Sequence, residues 1–190
     1  MGKKEGLNLA NRITILRIIL IPFFVAAVVY SHLEIALVIF IIAVISDAAD
    51  GFIARALKQK TALGTILDPV ADKLLLLSAY ICLSVAGSIP ADLKLPPYVP
   101  IIVISRDVII VLGSVMVYVV TNNLKISPSS IGKITTFFQM ITILSILLQF
   151  KYSFLIWNLT VLFTIISGID YVIKGSRLFG ENHSQLKKAA

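Results

Sequence analysis

The 190-residue chain is 58% hydrophobic and only 14% charged, with a mean hydropathy of +0.96. Soluble domains run about 45–50% apolar and about 25% charged, so a water-solvated globule is excluded and the length suits a single membrane domain over residues 1–190. The formal charge of +7 sits mainly between apolar runs, which points to an anionic inner membrane face and away from nucleic acid, and the lone cysteine, Cys82, excludes an intrachain disulfide and a cysteine-based zinc site.

The opening stretch MGKKEGLNLANRITILRIILIPFFVAAVVY has a basic start and an apolar run too long for the h-region of a signal peptide. It reads as a retained helix. Within it, Leu7, Leu9, Ile13 and Leu16 alternate with Asn8, Asn11, Arg12 and Arg17. Such a mixture forms either a short interfacial helix or the snorkelling start of the first span.

A helix crosses the hydrocarbon with about 20 mostly apolar residues. Six segments are predicted to do so: 12–31, 35–57, 62–87, 98–121, 131–150 and 153–174. The expected fold is therefore all-α and polytopic, with six transmembrane helices and a short N-terminal interfacial helix. Between the spans, YSHLE (30–34) is a short polar turn, and GSIPADLKLPPYVP (87–100) holds four prolines and cannot continue a helix. TNNLKISPSS (121–130) offers Ser129 or Ser130 as a helix cap. FKYS (150–153) is the tightest link and forces an antiparallel pair, while both chain ends look solvated and frayed.

Lysine and arginine set the orientation. With the N-terminus inside, the inner side receives Lys3, Lys4, Arg12, Arg55, Lys58, Lys60, Lys73, Lys125, Lys133, Lys174, Arg177, Lys187 and Lys188, and the outer loops keep only Lys94 and Lys151. The positive-inside rule then predicts cytoplasmic termini.

The stretch SDAADGFIARALKQKTALGTILDPVADK, residues 46–73, lies on that cytoplasmic side. On a helix, Asp47 and Asp50 are at i and i+3, and Asp68 and Asp72 at i and i+4, so each pair shares a face. Gly51, Ala54 and Gly64 continue those faces with small side chains. A short link over Lys58–Thr61 would turn the two ladders toward each other. Pro69 either kinks the second of these helices or opens it, with Asp68 as N-cap. A carboxylate at the bilayer centre costs about 2.5–3.5 kcal/mol, less near the interface, and four that repel one another need a cation. Oxygen donors without His or Cys suit Mg²⁺, Mn²⁺ or Ca²⁺, and carboxylate-bridged ion pairs serve phosphoryl chemistry. Arg55, Lys58 and Lys60 would suit a pyrophosphate. The competing reading is a set of interhelical ion pairs at a loop.

The pattern Asp47-x2-Asp50-Gly51-x2-Ala54-Arg55-x8-Gly64-x3-Asp68-x3-Asp72 resembles, over its whole length, the signature of the CDP-alcohol phosphatidyltransferase family. The resemblance implies a six-helix membrane enzyme, usually a homodimer, with a site open to the cytosol. It implies two divalent ions, Mg²⁺ or Mn²⁺, held by Asp47, Asp50, Asp68 and Asp72, with Asp72 also the general base. It implies that Gly51, Ala54, Arg55 and Gly64 line a CDP pocket, and that a phosphatidyl group passes from a CDP-linked lipid to an alcohol with release of CMP.

NLANRITILRIILIPFFV, TALGTILDPVADKLL and SSIGKITTFFQM are similar to segments of the bacterial phosphatidylglycerophosphate synthases within that family. Asn11, Thr14, Arg17 and Pro22 stand at matching places, which adds Asn11 and Thr14 to the CDP-binding set. The implied substrates are CDP-diacylglycerol and sn-glycerol 3-phosphate, and the implied location is a bacterial-type cytoplasmic (inner) membrane. The acceptor phosphate needs cations, for which Arg106 and Lys133 are the candidates. Arg106 alternatively pairs with Asp107 or a neighbouring helix in a packing role, and Lys133 alternatively meets anionic lipid. Ser105-Arg106-Asp107 departs from the Ser-Arg-Glu common in that subfamily and is also similar to the eukaryote-type cardiolipin synthases, whose acceptor is phosphatidylglycerol. Other acceptors of the family remain open too. Outside the class stand a divalent-cation transporter, which would need acids along a crossing path, and a non-catalytic scaffold.

Overall fold

The computed structural model describes residues 9–57, 62–87, 89–91, 93–121 and 130–189. Among them the chain forms six helices and no strand. They are α1 (Leu9–Val29), α2 (Leu33–Leu57), α3 (Ala62–Val85), α4 (Tyr98–Thr121), α5 (Ser130–Leu147) and α6 (Ser153–Ala189). Each overlaps one of the six predicted segments, because long apolar runs between proline-rich or polar breaks locate helices. The chain divides into two compact units, Met1–Leu95 with Ile143–Lys151 and Pro96–Thr142 with Tyr152–Ala190.

In the first unit α1 packs against both α2 and α3. The contact faces repeat at helical spacing. Thr14, Arg17, Phe24 and Val28 are buried on α1, Ala36, Phe40 and Ala43 on α2, and Ala71, Leu75, Ala79 and Leu83 on α3. The alanines let backbones approach closely, which is how helices gain contact where lipid supplies no hydrophobic drive. Phe24 and Phe40 meet with ring centroids 6.0 Å apart, within the range where aromatic pairs attract beyond their area. The turn after α1 is closed by the His32 N–H donating to the Ala27 carbonyl at 2.8 Å and the Ser31 N–H to Val28 at 3.1 Å. Ser31 takes φ 65° there, the left-handed residue that such a helix C-terminus requires. The same closure recurs after α5, with Gln149 at φ 52° and the Phe150 N–H on the Ser145 carbonyl at 2.8 Å.

In the second unit α4 packs on α6. A Cβ added at Gly113 would stand 2.8 Å from Cε1 of Tyr171, so the glycine is what permits this approach. The α5–α6 seam is antiparallel and polar. Thr135 donates to the Phe163 carbonyl at 3.2 Å, Thr160 to the Phe138 carbonyl at 3.1 Å, and the Thr142 and Thr160 hydroxyls meet at 2.7 Å. The Phe138 and Phe163 rings stack at 4.7 Å. Thr160, Thr164 and Ser167 of α6 are buried while Leu155, Leu162, Ile165, Ile166 and Ile169 are exposed. Hydroxyls inside and isoleucines outside reverse the order of a water-soluble helix pair and fit a lipid surround.

Several expectations change. The interfacial helix is not separate: α1 runs unbroken from Leu9 to Val29 through Pro22, so Asn11, Thr14 and Arg17 occupy its first turns. Pro69 does not open α3, which starts seven residues earlier at Ala62, so Asp68 is no N-cap. Helix α6 continues to Ala189, well past 174, since the charged tail lacks a helix-breaking proline. Among the described residues, Ser130–Leu147 and Ser153–Ser176 are long and apolar enough to cross a membrane, and Thr14–Val29 is a shorter apolar stretch. The Lys58–Thr61 link and the Ser129 cap lie outside the described residues.

Candidate active site

The acidic signature falls on two helices of one unit. Asp47, Asp50, Gly51, Ala54 and Arg55 lie in the C-terminal half of α2, and Gly64, Asp68 and Asp72 in the N-terminal half of α3. Asn11 and Thr14 lie at the start of α1, the helix that packs against both others. The three segments are thus carried by α1 and the two helices packed on it. The side chains of Asn11, Asp50, Ala54, Arg55 and Asp68, and the surroundings of Gly51 and Gly64, lie outside the described residues.

Of the remaining side chains, Thr14 is fully buried and Asp72 half-buried. Asp47 keeps 40% of its side-chain surface exposed, yet its Oδ1 stands 2.9 Å from Nη2 of Arg17, whose side chain is 0% exposed. This is an ion pair without hydrogen-bond geometry, and Nε and Nη1 of Arg17 have no hydrogen-bond partner among the described residues. The carboxylate thus has a buried cationic neighbour and keeps part of its surface accessible. Carboxylate oxygens are the donors that a hard divalent cation takes, and an anchored, partly exposed Asp47 fits that role, although among the described residues no three acidic, histidine or cysteine side chains come together. Arg17 stands outside the ligand set expected from the sequence. Its signal was visible, however: an arginine within an apolar helix that begins at Leu9 needs an acidic partner.

The second pair of expected site residues lies in the other unit. Arg106 on α4 is buried, and its Nη1 donates to Oδ1 of Asp107 at 2.7 Å. Its Nη2 donates to the Ser167 hydroxyl at 2.6 Å, and Nε has no partner among the described residues. The expected alternative, a pair with Asp107 and a tie to a neighbouring helix, is therefore present. A Cβ at Gly132 would stand 3.1 Å from Nη2, so the guanidinium lies against the α5 backbone one residue before Lys133. Lys133 itself is exposed. Gly132 and Ser167 were not among the expected site residues, and nothing in their sequence neighbourhood links them to Arg106.

Residues 7–166 match the model of the CDP-alcohol phosphatidyltransferase family. The chain is similar to a probable phosphatidylglycerophosphate synthase of Mycobacterium tuberculosis, with 31% identity over 94% of this chain and 87% of that one. It is similar to a CDP-diacylglycerol–glycerol-3-phosphate 3-phosphatidyltransferase of Haemophilus influenzae, with 36% identity over 90% of this chain and 96% of that one. It also resembles the human CMP-forming cardiolipin synthase, at 28% identity over 90% of this chain and 62% of that one.

Proposed function

This chain belongs to the CDP-alcohol phosphatidyltransferase family, and from that premise we propose that it transfers a phosphatidyl group from CDP-diacylglycerol to sn-glycerol 3-phosphate, giving phosphatidylglycerophosphate and CMP. The observation that carries the reading is the complete acidic signature on α2 and α3, both packed on α1. Relatives named for this reaction, matched over nearly their full length, support the acceptor. The protein is membrane-embedded, like its family. Its six helices are read as six spans, with both termini and the active site on the cytoplasmic side of a bacterial-type inner membrane. The lysine and arginine distribution supports that orientation. A single catalytic domain is supported by one family model that runs through both compact units, and a homodimer follows from the family habit.

The four aspartates, Asp47, Asp50, Asp68 and Asp72, would hold two divalent ions, Mg²⁺ or Mn²⁺. When bound, such ions neutralise the diphosphate and the departing CMP. Asn11, Thr14, Gly51, Ala54, Arg55 and Gly64 bind the CDP moiety: the small residues leave room against backbone, and Arg55 supplies a fixed positive charge. Asp72 takes the proton of the acceptor hydroxyl. The new oxygen–phosphorus bond forms at the lipid phosphorus as the bond to CMP breaks, with Asp72 left protonated. Position and charge supply most of the acceleration. Arg106 and Lys133 bind the phosphate of the acceptor.

A second reading keeps the reaction and changes the acceptor to phosphatidylglycerol. Ser105-Arg106-Asp107 and the likeness to a cardiolipin synthase at 28% identity favour it, against 36% identity to a glycerol-3-phosphate enzyme matched over 96% of its length. Purified protein supplied with CDP-diacylglycerol and Mg²⁺ or Mn²⁺, then each alcohol in turn, decides the matter. Product with glycerol 3-phosphate alone is expected, together with loss of CMP release on chelation. Product with phosphatidylglycerol alone would overturn the acceptor, and no CMP with any alcohol would overturn the reaction.

A further inference from the structure

The structure assigns Arg17 of α1 a role in metal binding: it is the positioning residue that fixes the Asp47 carboxylate as a ligand. The inference rests on the proposed metal-dependent transfer. A guanidinium is charged at every accessible pH, and an unpaired buried charge is costly. Arg17 is nonetheless fully buried, with Nη2 on Asp47 at 2.9 Å and two further nitrogens unpartnered among the described residues. A residue serving only to join α1 to α2 would do so at lower cost as an apolar side chain, since replacing buried ion pairs by hydrophobic residues is often neutral or stabilising. The pair is also lopsided: the cation is wholly enclosed and the anion 40% exposed. That asymmetry suits a carboxylate held at one oxygen and presented outward at the other. Outer-shell partners of ligating carboxylates act in this way, and their loss costs about 10–100-fold in metal affinity or activity. Repulsion between the guanidinium and a bound ion would oppose the effect, but an ion taken by the free carboxylate oxygen would be nearer to that carboxylate than to the guanidinium, so attraction would act over the shorter distance.

The test is Mn²⁺ binding to the detergent-purified full chain, followed by electron paramagnetic resonance, with a thermal melt as the control for folding. Arg17→Ala is expected to weaken Mn²⁺ binding about 10–100-fold. Arg17→Lys, which keeps the charge and loses the fork, is expected to fall between it and the unaltered protein. In an Asp47→Asn background the Arg17→Lys change should add no further loss. A folded Arg17→Ala protein with unaltered Mn²⁺ affinity overturns the inference and leaves the proposed transfer standing, provided the unaltered protein releases CMP. If Arg17→Ala does not fold, unaltered affinity in Arg17→Lys overturns it equally. An unaltered protein that neither binds Mn²⁺ nor releases CMP overturns both readings.

Discussion

At the scale of single residues, the two arginines buried among the described residues separate two kinds of work. Arg17 is enclosed and paired to a half-open aspartate, whereas Arg106 is buried and tied to Asp107 and Ser167. Arg106 could not be replaced by lysine without loss, because its planar fork reaches Asp107 and Ser167 at once. Asp72, half-buried on α3, carries the proposed proton transfer. Asp72→Asn should lower the rate of CMP release by about 10²–10⁴-fold, the usual share of a general base, in protein that still melts cooperatively. A silent substitution would instead favour a non-catalytic scaffold.

At the scale of helices, glycine and hydroxyl residues fix the seams. Gly113 lets α4 reach Tyr171, and Gly132 lets Arg106 lie on α5. Gly132→Ala puts a methyl 3.1 Å from Nη2, which must then shift by a few tenths of an ångström and strain its bond to Ser167. Alanine is favoured over glycine in helices by about 1 kcal/mol, so thermal stability should hold. The Michaelis constant for glycerol 3-phosphate should rise several-fold, with Arg106→Ala raising it further. An unchanged constant in both variants would remove Arg106 from the acceptor site and leave it as a helix tie.

At the scale of the molecule, the distribution of charge and apolar surface sets the relation to the bilayer. The outward isoleucines and leucines of α1, α2 and α6 are the surface that lipid would solvate under the proposed six-span reading. The proposed orientation rests on the lysine and arginine distribution. A cysteine placed at Lys94 or Lys151, with Cys82 replaced by serine, should react in intact cells with a thiol reagent that cannot cross the membrane. A cysteine at Lys125 should react only after lysis. The opposite pattern would invert the topology and move the aspartates to the outer face.

Hydrophobic runs and proline-rich breaks were enough to place the helices, because burial in lipid demands length and apolarity that no other element needs. The acidic ladders of α2 and α3 were legible for a related reason: carboxylates near hydrocarbon are costly enough to stand out. Local pattern alone left Pro69 and the Asn11–Arg17 stretch undecided between two structures, and the unbroken helices α1 and α3 resolve both. Partnership between distant residues was out of reach of the linear chain. That Arg17 grips Asp47 thirty positions away, or that Arg106 meets Ser167 sixty-one positions away, depends on helix rotation and crossing. Those are set by small-residue packing and buried polar contacts, and only the folded protein decides them.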